Sequence, residues 1–318
     1  MKVTFHQLEV FECVARRLSF TRAAEEMSLS QPTISAQIRQ LTDAVGMPLF
    51  EQIGKTINLT DAGRELLAAS RGVFDAWSRF EMNIADMRGL KRGLLRIACV
   101  STAKYFVPGL LGPFCENYPE IEVRLEIANR ESLVGRLRAN LDDLYIMMLP
   151  PEDIDVDKTP FRDNPLVVVA AGAHPLAGKR AIPMKRLDSE RFIMRESGSG
   201  TRMRVEQHFS SVAFIPLVRM ELGSNEALKH VVATGLGMTV MSRHVLDADP
   251  AHDGLTILDV EGFPLHDDFF VVTPRGKRLS VVAQAFQDHL VSESARVRRL
   301  PAGLPPVLGK VPSPASAG

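Results

Sequence analysis

At 318 residues, with 45% hydrophobic and 24% charged side chains, the chain has the composition of a soluble globular protein of about two domains, not of a disordered one. Its 38 basic residues are balanced by 38 acidic ones, which excludes a protein that coats nucleic acid by bulk positive charge. No apolar run is long enough to span a bilayer and no signal peptide opens the chain, so a cytoplasmic protein without a membrane partner is expected.

Cys13, Cys99 and Cys115 are scattered and form no CxxC, which predicts reduced thiols; the eight histidines lack metal-ligand spacing, so no metal site is expected. Thr4 and Gln7 make a capping box opening a helix with Leu8, Phe11, Ala15 and Leu18 on its inner face. "FTRAAEEMSLSQPTISAQIRQ" follows, two short helices joined by a tight polar turn at Ser28 to Ser30. Ser30 is placed as the second helix's N-cap and Pro32 sits in its first turn, where a missing N–H costs nothing.

Ile34, Ile38, Leu41 and Val45 recur at helical spacing and make one buried face, leaving Gln31, Thr33, Ser35, Ala36, Gln37 and Arg39 outside. An outer face of amides, hydroxyls and a guanidinium suits the major groove, where Gln pairs with adenine and Arg with guanine. The same residues also fit an αα-hairpin in an ordinary helical domain. The candidate DNA-facing residues are Thr21, Arg22, Gln31, Pro32, Thr33, Ser35, Ala36 and Arg39. "PLFEQIGKTINLT" reads as a β-hairpin wing, its tip at Gly54-Lys55, with Lys55 placed to meet backbone phosphate.

Thr60 caps a long helix running to about Arg88. Along it Leu66, Val73, Trp77, Phe80, Ile84 and Met87 form a seam at steps of three and four, with Ser70 filling one gap. That predicts a dimerisation helix, and a lone amphipathic helix packed on its own domain is the alternative. "RGLKRG" is a basic hinge.

From Leu94 the pattern becomes strand-helix-strand: "LLRIACV", a helix begun by Ser101 or Thr102, the alternating "IEVRLEIA", the helical "ESLVGRLRANLDD" and "LYIMML". "LPPEDIDVD" reads as a crossover. A second run starts with "LVVVAA" near Pro165, continues through "RFIMRE" and "LVRMEL", and closes with "FFVVTP" and a helix over 280–291. Parallel sheets of this kind hold ligands at the carboxyl ends of their strands. Three loops there carry hydroxyls and cations at helix starts: Ser101, Thr102 and Lys104; then Glu196, Ser197, Gly198, Thr201 and Arg202 in "RESGSGTR", with Arg195 and Arg204 as further flanking cations; then Ser224 and Asn225. Together they suit an anion such as phosphate, although each also fits a plain capped helix. Pro150 in the crossover joins these candidates. "GLG" at 235–237 reads as a helix C-cap, not a dinucleotide fingerprint, and no nucleophile-base arrangement points to an enzyme. After Glu293 the chain is basic and proline-rich, which predicts a disordered tail.

"LEVFECVARRLSFTRAAEEMSLSQPTISAQIRQL" followed by "LFEQIGKTINLTDAG" resembles the LysR-type transcriptional regulators, and the likeness runs from Val3 to Val291. "STAKYFVPGLLGPFCENYP", "NRESL", "PPEDIDV", "DNPLVVVAAGAHPLA" and "RESGSGTR" resemble the branch that activates Calvin-cycle (RuBisCO) operons, often called CbbR. The resemblance implies a winged helix-turn-helix over 1–60 and a linker helix over 61–90. It then implies a periplasmic-binding-protein-like α/β effector domain, with one subdomain over 91–161 and 268–293, a second over 162–267, and a tail over 294–318. It further implies a homodimer assembling to a tetramer on an inverted-repeat DNA site, RNA polymerase as a partner, and no cofactor beyond an effector. That effector would be a phosphorylated metabolite or NADPH. Where the family often carries a wing arginine this chain has Gln52. A LysR-type regulator of aromatic catabolism is the alternative, marked by a cleft preferring aromatic carboxylates.

Overall fold

The computed structural model describes residues 3–53, 56–87 and 92–297, and the chain forms two compact units, 1–84 and 85–318. The expected tail from 298 onward lies outside the described residues, as does the Gly54-Lys55 wing tip.

The first unit is a winged helix-turn-helix. α1 (Phe5–Arg17) opens with the capping box: the Thr4 hydroxyl accepts from the Gln7 amide and the Gln7 side chain accepts from the Thr4 amide. Its buried face is Val10, Phe11, Cys13, Val14 and Ala15. Leu18 lies past the helix end with φ +46 and is 45% exposed, so the inner face expected through Leu18 is rotated toward Val14. α2 (Phe20–Glu26) and α3 (Gln31–Val45) follow, and Ala23 and Ala24 pack with Ile34, Ile38 and Leu41 in one core. β1 (Phe50–Ile53) and β2 (Thr56–Leu59) pair antiparallel as the wing, with Phe50 opposite Leu59. α4 (Asp61–Met87) starts on the Thr60 hydroxyl, which accepts from the Gly63 amide.

The second unit is α/β. One five-stranded sheet runs β4 (Glu120–Ala128), β3 (Arg92–Val100), β5 (Leu144–Met147), β12 (Asp268–Pro274), β6 (Val156–Asp163). β3 is parallel to β4 and β5, but β12 is antiparallel to β5 and β6, so the sheet is mixed rather than wholly parallel. β6 begins on the last two residues of the expected crossover, 149–157, and runs on through a stretch where no strand was expected. It is an edge strand in which Phe161 alone is buried, so it gives no apolar alternation. Its extent carries the sheet through Arg162 and Asp163.

The helix expected from Ser101 is a single 3-10 turn over Ala103–Tyr105 followed by α5 (Val107–Asn117), because Pro108 sets the start of the α-helix at its preceding residue. α6 (Arg130–Arg138) follows β4, the edge strand whose alternation fails at Ile127, which is 43% exposed.

In the remainder, β7 (Leu166–Ala171) lies between β10 (Thr239–Ser242) and β11 (Leu255–Leu258), antiparallel to both. β8 (Arg191–Arg195) and β9 (Leu217–Leu222) are parallel, and a bridge from Phe192 to Met238 leads toward β10. α7 (Gly200–Ser211) follows β8 and α8 (Asn225–Ala233) follows β9. α9 (Val281–Val297) begins after Ser280 and continues past Glu293, beyond the boundary expected for the tail. Its Phe286 and Leu290 sit in the core with β3 and β12.

Candidate functional site

Ser30 forms the N-cap of α3, its hydroxyl accepting from the Thr33 amide at 3.3 Å and meeting the Thr33 hydroxyl at 2.8 Å. With Ile34, Ile38 and Leu41 turned into the core, Gln31, Pro32, Thr33, Ala36 and Arg39 are exposed and Ser35 is half-buried. Thr21 and Arg22 are exposed on α2. Gln31 Nε2 donates to Ser35 Oγ at 3.4 Å, one turn along the same face. Between α3 and the wing runs a groove of about 460 Å³ lined by residues including Gln31, Ser35, Thr42, Gln52 and Ile57. The face combines amide, hydroxyl and guanidinium donors on a helix seated over an aliphatic core, a surface suited to base edges. Lys55, expected on backbone phosphate, lies outside the described residues.

On α4, Leu66 is half-buried against the first unit's core, and the Ser70 hydroxyl is buried, donating to the Leu66 carbonyl at 2.6 Å. Val73, Trp77 and Phe80 are exposed at 44%, 50% and 51%, a continuous apolar stripe. Phe5 of α1 covers one side of it, its ring 4.9 Å from Phe74 and 5.9 Å from Trp77. The side chains of Ile84 and Met87 lie outside the described residues.

In the second unit, the carboxyl ends of β3, β4, β5 and β8 converge on a small cavity of about 10 Å³, room for about one water. Its walls are Val100, Ser101 and Thr102 after β3, Asn129 and Arg130 after β4, Met148 after β5, and Arg195, Ser199, Gly200 and Thr201 at the β8–α7 junction. Arg195 is 3% exposed. It donates to Ser101 Oγ at 3.2 Å, to the Asn225 side-chain oxygen, and in a fork to both Glu196 oxygens at 2.8 and 3.0 Å. Ser199 caps α7, accepting from the Arg202 amide, so the helix's first amides face this region.

Of the expected anion-site residues, Ser101, Thr102 and Thr201 line the cavity, while Glu196 and Asn225 reach it through Arg195. Ser197 is exposed; Gly198, at φ +85, offers its carbonyl to the Glu131 amide, and a side chain there would run into the Glu131 carboxylate. Lys104 turns to Glu226 at 2.7 Å, Ser224 caps α8, and Pro150 is half-buried off the cavity wall.

Arg202 does not line the cavity. Glu206 and Glu221, each 2.7 Å away, draw its guanidinium along α7 toward β9. Of the three arginines expected to supply charge here, only Arg195 lines the cavity; Arg204 pairs with Asp267, and the second guanidinium of the wall is that of Arg130. Arg130 sits one position after Asn129, which caps α6, and a polar residue that stops an alternating strand and caps the next helix was the available signal.

Cys13 and Cys99 are buried and Cys115 half-buried, all as free thiols, with burial pushing Cys99 up to about 12. Among the described residues no helix is long and apolar enough to cross a membrane, and no group of His, Cys, Asp and Glu is arranged to hold a metal.

Residues 5–64 match the bacterial regulatory helix-turn-helix protein model of the lysR family, and residues 88–295 match the LysR substrate binding domain. The chain belongs to the LysR family. LysR proteins of this kind are DNA-binding transcriptional regulators, not enzymes. Among its relatives, the transcriptional activator CmpR of Synechocystis is 48% identical over 92% of this chain and 97% of its own. The RuBisCO operon transcriptional regulator of Acidithiobacillus ferrooxidans is 49% identical over 92% of this chain and 94% of its own. The solved regulatory domain of Synechocystis CcmR in complex with 2-PG is 49% identical, with TM-score 0.62, covering 64% of this chain and 98% of that one. Full-length CbnR complexed with its target DNA shares the fold at 20% identity, with TM-score 0.65, over 92% of this LysR chain and all of the other.

Proposed function

We propose that this LysR-type protein activates a carbon-dioxide-fixation operon in the cytoplasm, in response to a small phosphorylated carboxylic acid bound where β3, β4, β5 and β8 converge. The observation that carries the reading is the junction of two arginines, four hydroxyl side chains and the α7 N-terminus in one small pocket, an arrangement suited to an oxyanion. The CcmR regulatory domain bound to 2-PG and the RuBisCO operon regulators supply the chemical class and the target. The effector is then of the 2-phosphoglycolate kind. As it stands the pocket has room for about one water, so its lips must part for any such effector, NADPH, the other candidate, included.

In this reading, α3 and the wing hold one half of an inverted-repeat site, the Trp77 stripe joins two chains, and pairs of dimers form the tetramer that contacts RNA polymerase. The effector biases the protein only by its differential affinity for two arrangements of the pocket lips. Bending of the held DNA is the output.

The test is the melting temperature of the full chain with 2-phosphoglycolate, ribulose bisphosphate, phosphoenolpyruvate, phosphoglycerate, NADPH and benzoate, each alone. A ligand at about 100 times its Kd adds about 2.7 kcal/mol, a rise of roughly 5–10 °C for a domain of this size. A rise with a phosphorylated acid supports the reading. A rise with benzoate alone keeps the fold and moves the protein to aromatic catabolism.

A further inference from the structure

The two arginines of the pocket differ in what already holds them. Arg195 is buried and largely used: an arginine has five N–H donors, and Arg195 spends Nε and Nη2 on Glu196 and Ser101 and Nη1 on Asn225. Its charge is met by the Glu196 fork within the same loop. Arg130 is different. Its Nε donates to the Leu149 carbonyl at 2.7 Å, which fixes the direction of the side chain, and its two Nη groups have no protein partner among the described residues. Among the described residues no carboxylate lies within ion-pair distance of it; Asp153, which acts on it through space, is taken by Arg138. Burial pushes its pKa down, as expected of a cation short of counter-charge.

The start of α7 is shaped around this side chain. A β-carbon on Gly200 would stand 3.3 Å from Arg130 Cδ and 3.4 Å from Met148 Cγ, so a glycine at the first helical position lets the Arg130 stem lie against the α7 N-terminus. An unneutralised fork of donors is thereby brought beside a set of free helix amides and the Thr102 and Thr201 side chains.

We propose that Arg130 is the residue that takes the phosphoryl group of the effector, and that Arg195, already neutralised by Glu196, is a positioning residue that holds Ser101 and Asn225. The assignment rests on the pocket being the effector site. It makes the pocket selective for a dianionic phosphoryl end over a carboxylate, because the fork and the helix amides converge on one side while the Arg195 side is charge-balanced. It also predicts that Glu196, although it stands in the pocket loop, opposes anion binding.

Calorimetric titration of the full chain with 2-phosphoglycolate, inorganic phosphate and glycolate tests this. Arg130→Gln is expected to weaken 2-phosphoglycolate and phosphate about 30-fold or more, since two charge-assisted bonds are lost, and to change glycolate less than about threefold. Glu196→Gln is expected to bind the phosphorylated ligands several-fold more tightly, with a steeper fall as salt is raised. Arg130→Lys keeps the charge and the stem but not the fork, and should lose about tenfold; it carries the test if the glutamine variant does not fold. Binding of 2-phosphoglycolate by Arg130→Gln within threefold of wild type overturns the Arg130 assignment and leaves the effector reading standing. Phosphate binding that depends on Arg130 in a protein indifferent to 2-phosphoglycolate supports the assignment and overturns the effector reading.

Discussion

Arg202 donates from Nη1 to the main-chain carbonyl of Arg195 at 3.0 Å, so it braces the end of β8 from behind the pocket. Its own charge is met by Glu206 and, across to β9, by Glu221, and these partners raise its pKa, the Glu206 bond first. Arg202→Ala should therefore act on stability more than on ligand choice. Two half-exposed ion pairs and one bond to a carbonyl are worth about 1–2 kcal/mol together. Urea unfolding should show that loss. The ratio of 2-phosphoglycolate to glycolate affinity should stay within threefold, and a collapse of that ratio would return Arg202 to the pocket.

Glu226 ties the turn after β3 to the start of α8. Its Oε1 accepts from the Tyr105 hydroxyl at 2.6 Å and meets Lys104 Nζ at 2.7 Å. Burial works against its charge, but the Lys104 and Tyr105 bonds outweigh it and hold the carboxyl at about 2, against an ordinary 4.5. A carboxylate with a lowered folded-state pKa stabilises the fold above its unfolded pKa, and the contribution is lost as pH falls toward the folded value. With the Glu226 side chain 44% exposed, solvent screening limits the contribution to about 1 kcal/mol. Wild type should exceed Glu226→Gln by about that much at pH 7, and denaturant titrations should show the gap closing between about pH 4.5 and 2. A gap that persists at the acid end would assign the effect to packing.

What the chain announces locally it also forms. Thr4 with Gln7, Ser30 before Pro32 and Thr60 before α4 all cap the helices their spacing implied, because each cap is settled within four residues. The LysR resemblance carried the two-part architecture. β6 is silent because an edge strand such as Val156–Asp163 needs no apolar alternation, and Pro108 displaces the helix start expected at Ser101 or Thr102. The pocket was legible only in part. Ser101, Thr102 and Thr201 were visible as hydroxyls at element junctions, but Arg130 and Arg202 are both arginines in a first helical turn. Tertiary neighbours separate them: Glu206 and Glu221 take one away, and among the described residues no acid pairs with the other.

Val73, Trp77 and Phe80 leave an apolar stripe on α4 that a soluble chain rarely carries unpaired. If a second copy covers it, Trp77→Glu should weaken self-association by at least about tenfold, since a charge replaces a large buried contact. Sedimentation velocity over a dilution series measures this directly. Because Trp77 is 50% exposed in the single chain, the variant should keep the unfolding midpoint of its DNA-binding unit at concentrations where wild type is dissociated. Unchanged association would assign the stripe to contacts other than self-pairing.

Gln31 and Ser35 divide the work of reading a base. The Ser35 hydroxyl accepts one Gln31 amide proton at 3.4 Å, holding the side chain along α3 while its oxygen and its second N–H remain for a base edge. A bidentate amide–adenine pair discriminates by about 1–3 kcal/mol. Gln31→Ala should therefore lower operator affinity about 10- to 100-fold, and the loss should concentrate at one base pair when each position is replaced in turn. Ser35→Ala leaves the reading group in place but frees its rotamer, so a loss of only about two- to fivefold is expected at the same base pair. Arg39→Ala, if it contacts phosphate, should weaken all sites alike and lower the salt slope by about one. Fluorescence anisotropy on single-base operator variants distinguishes the three. Equal losses at every base for Gln31→Ala would reassign it to the DNA backbone, and with it the role of Ser35.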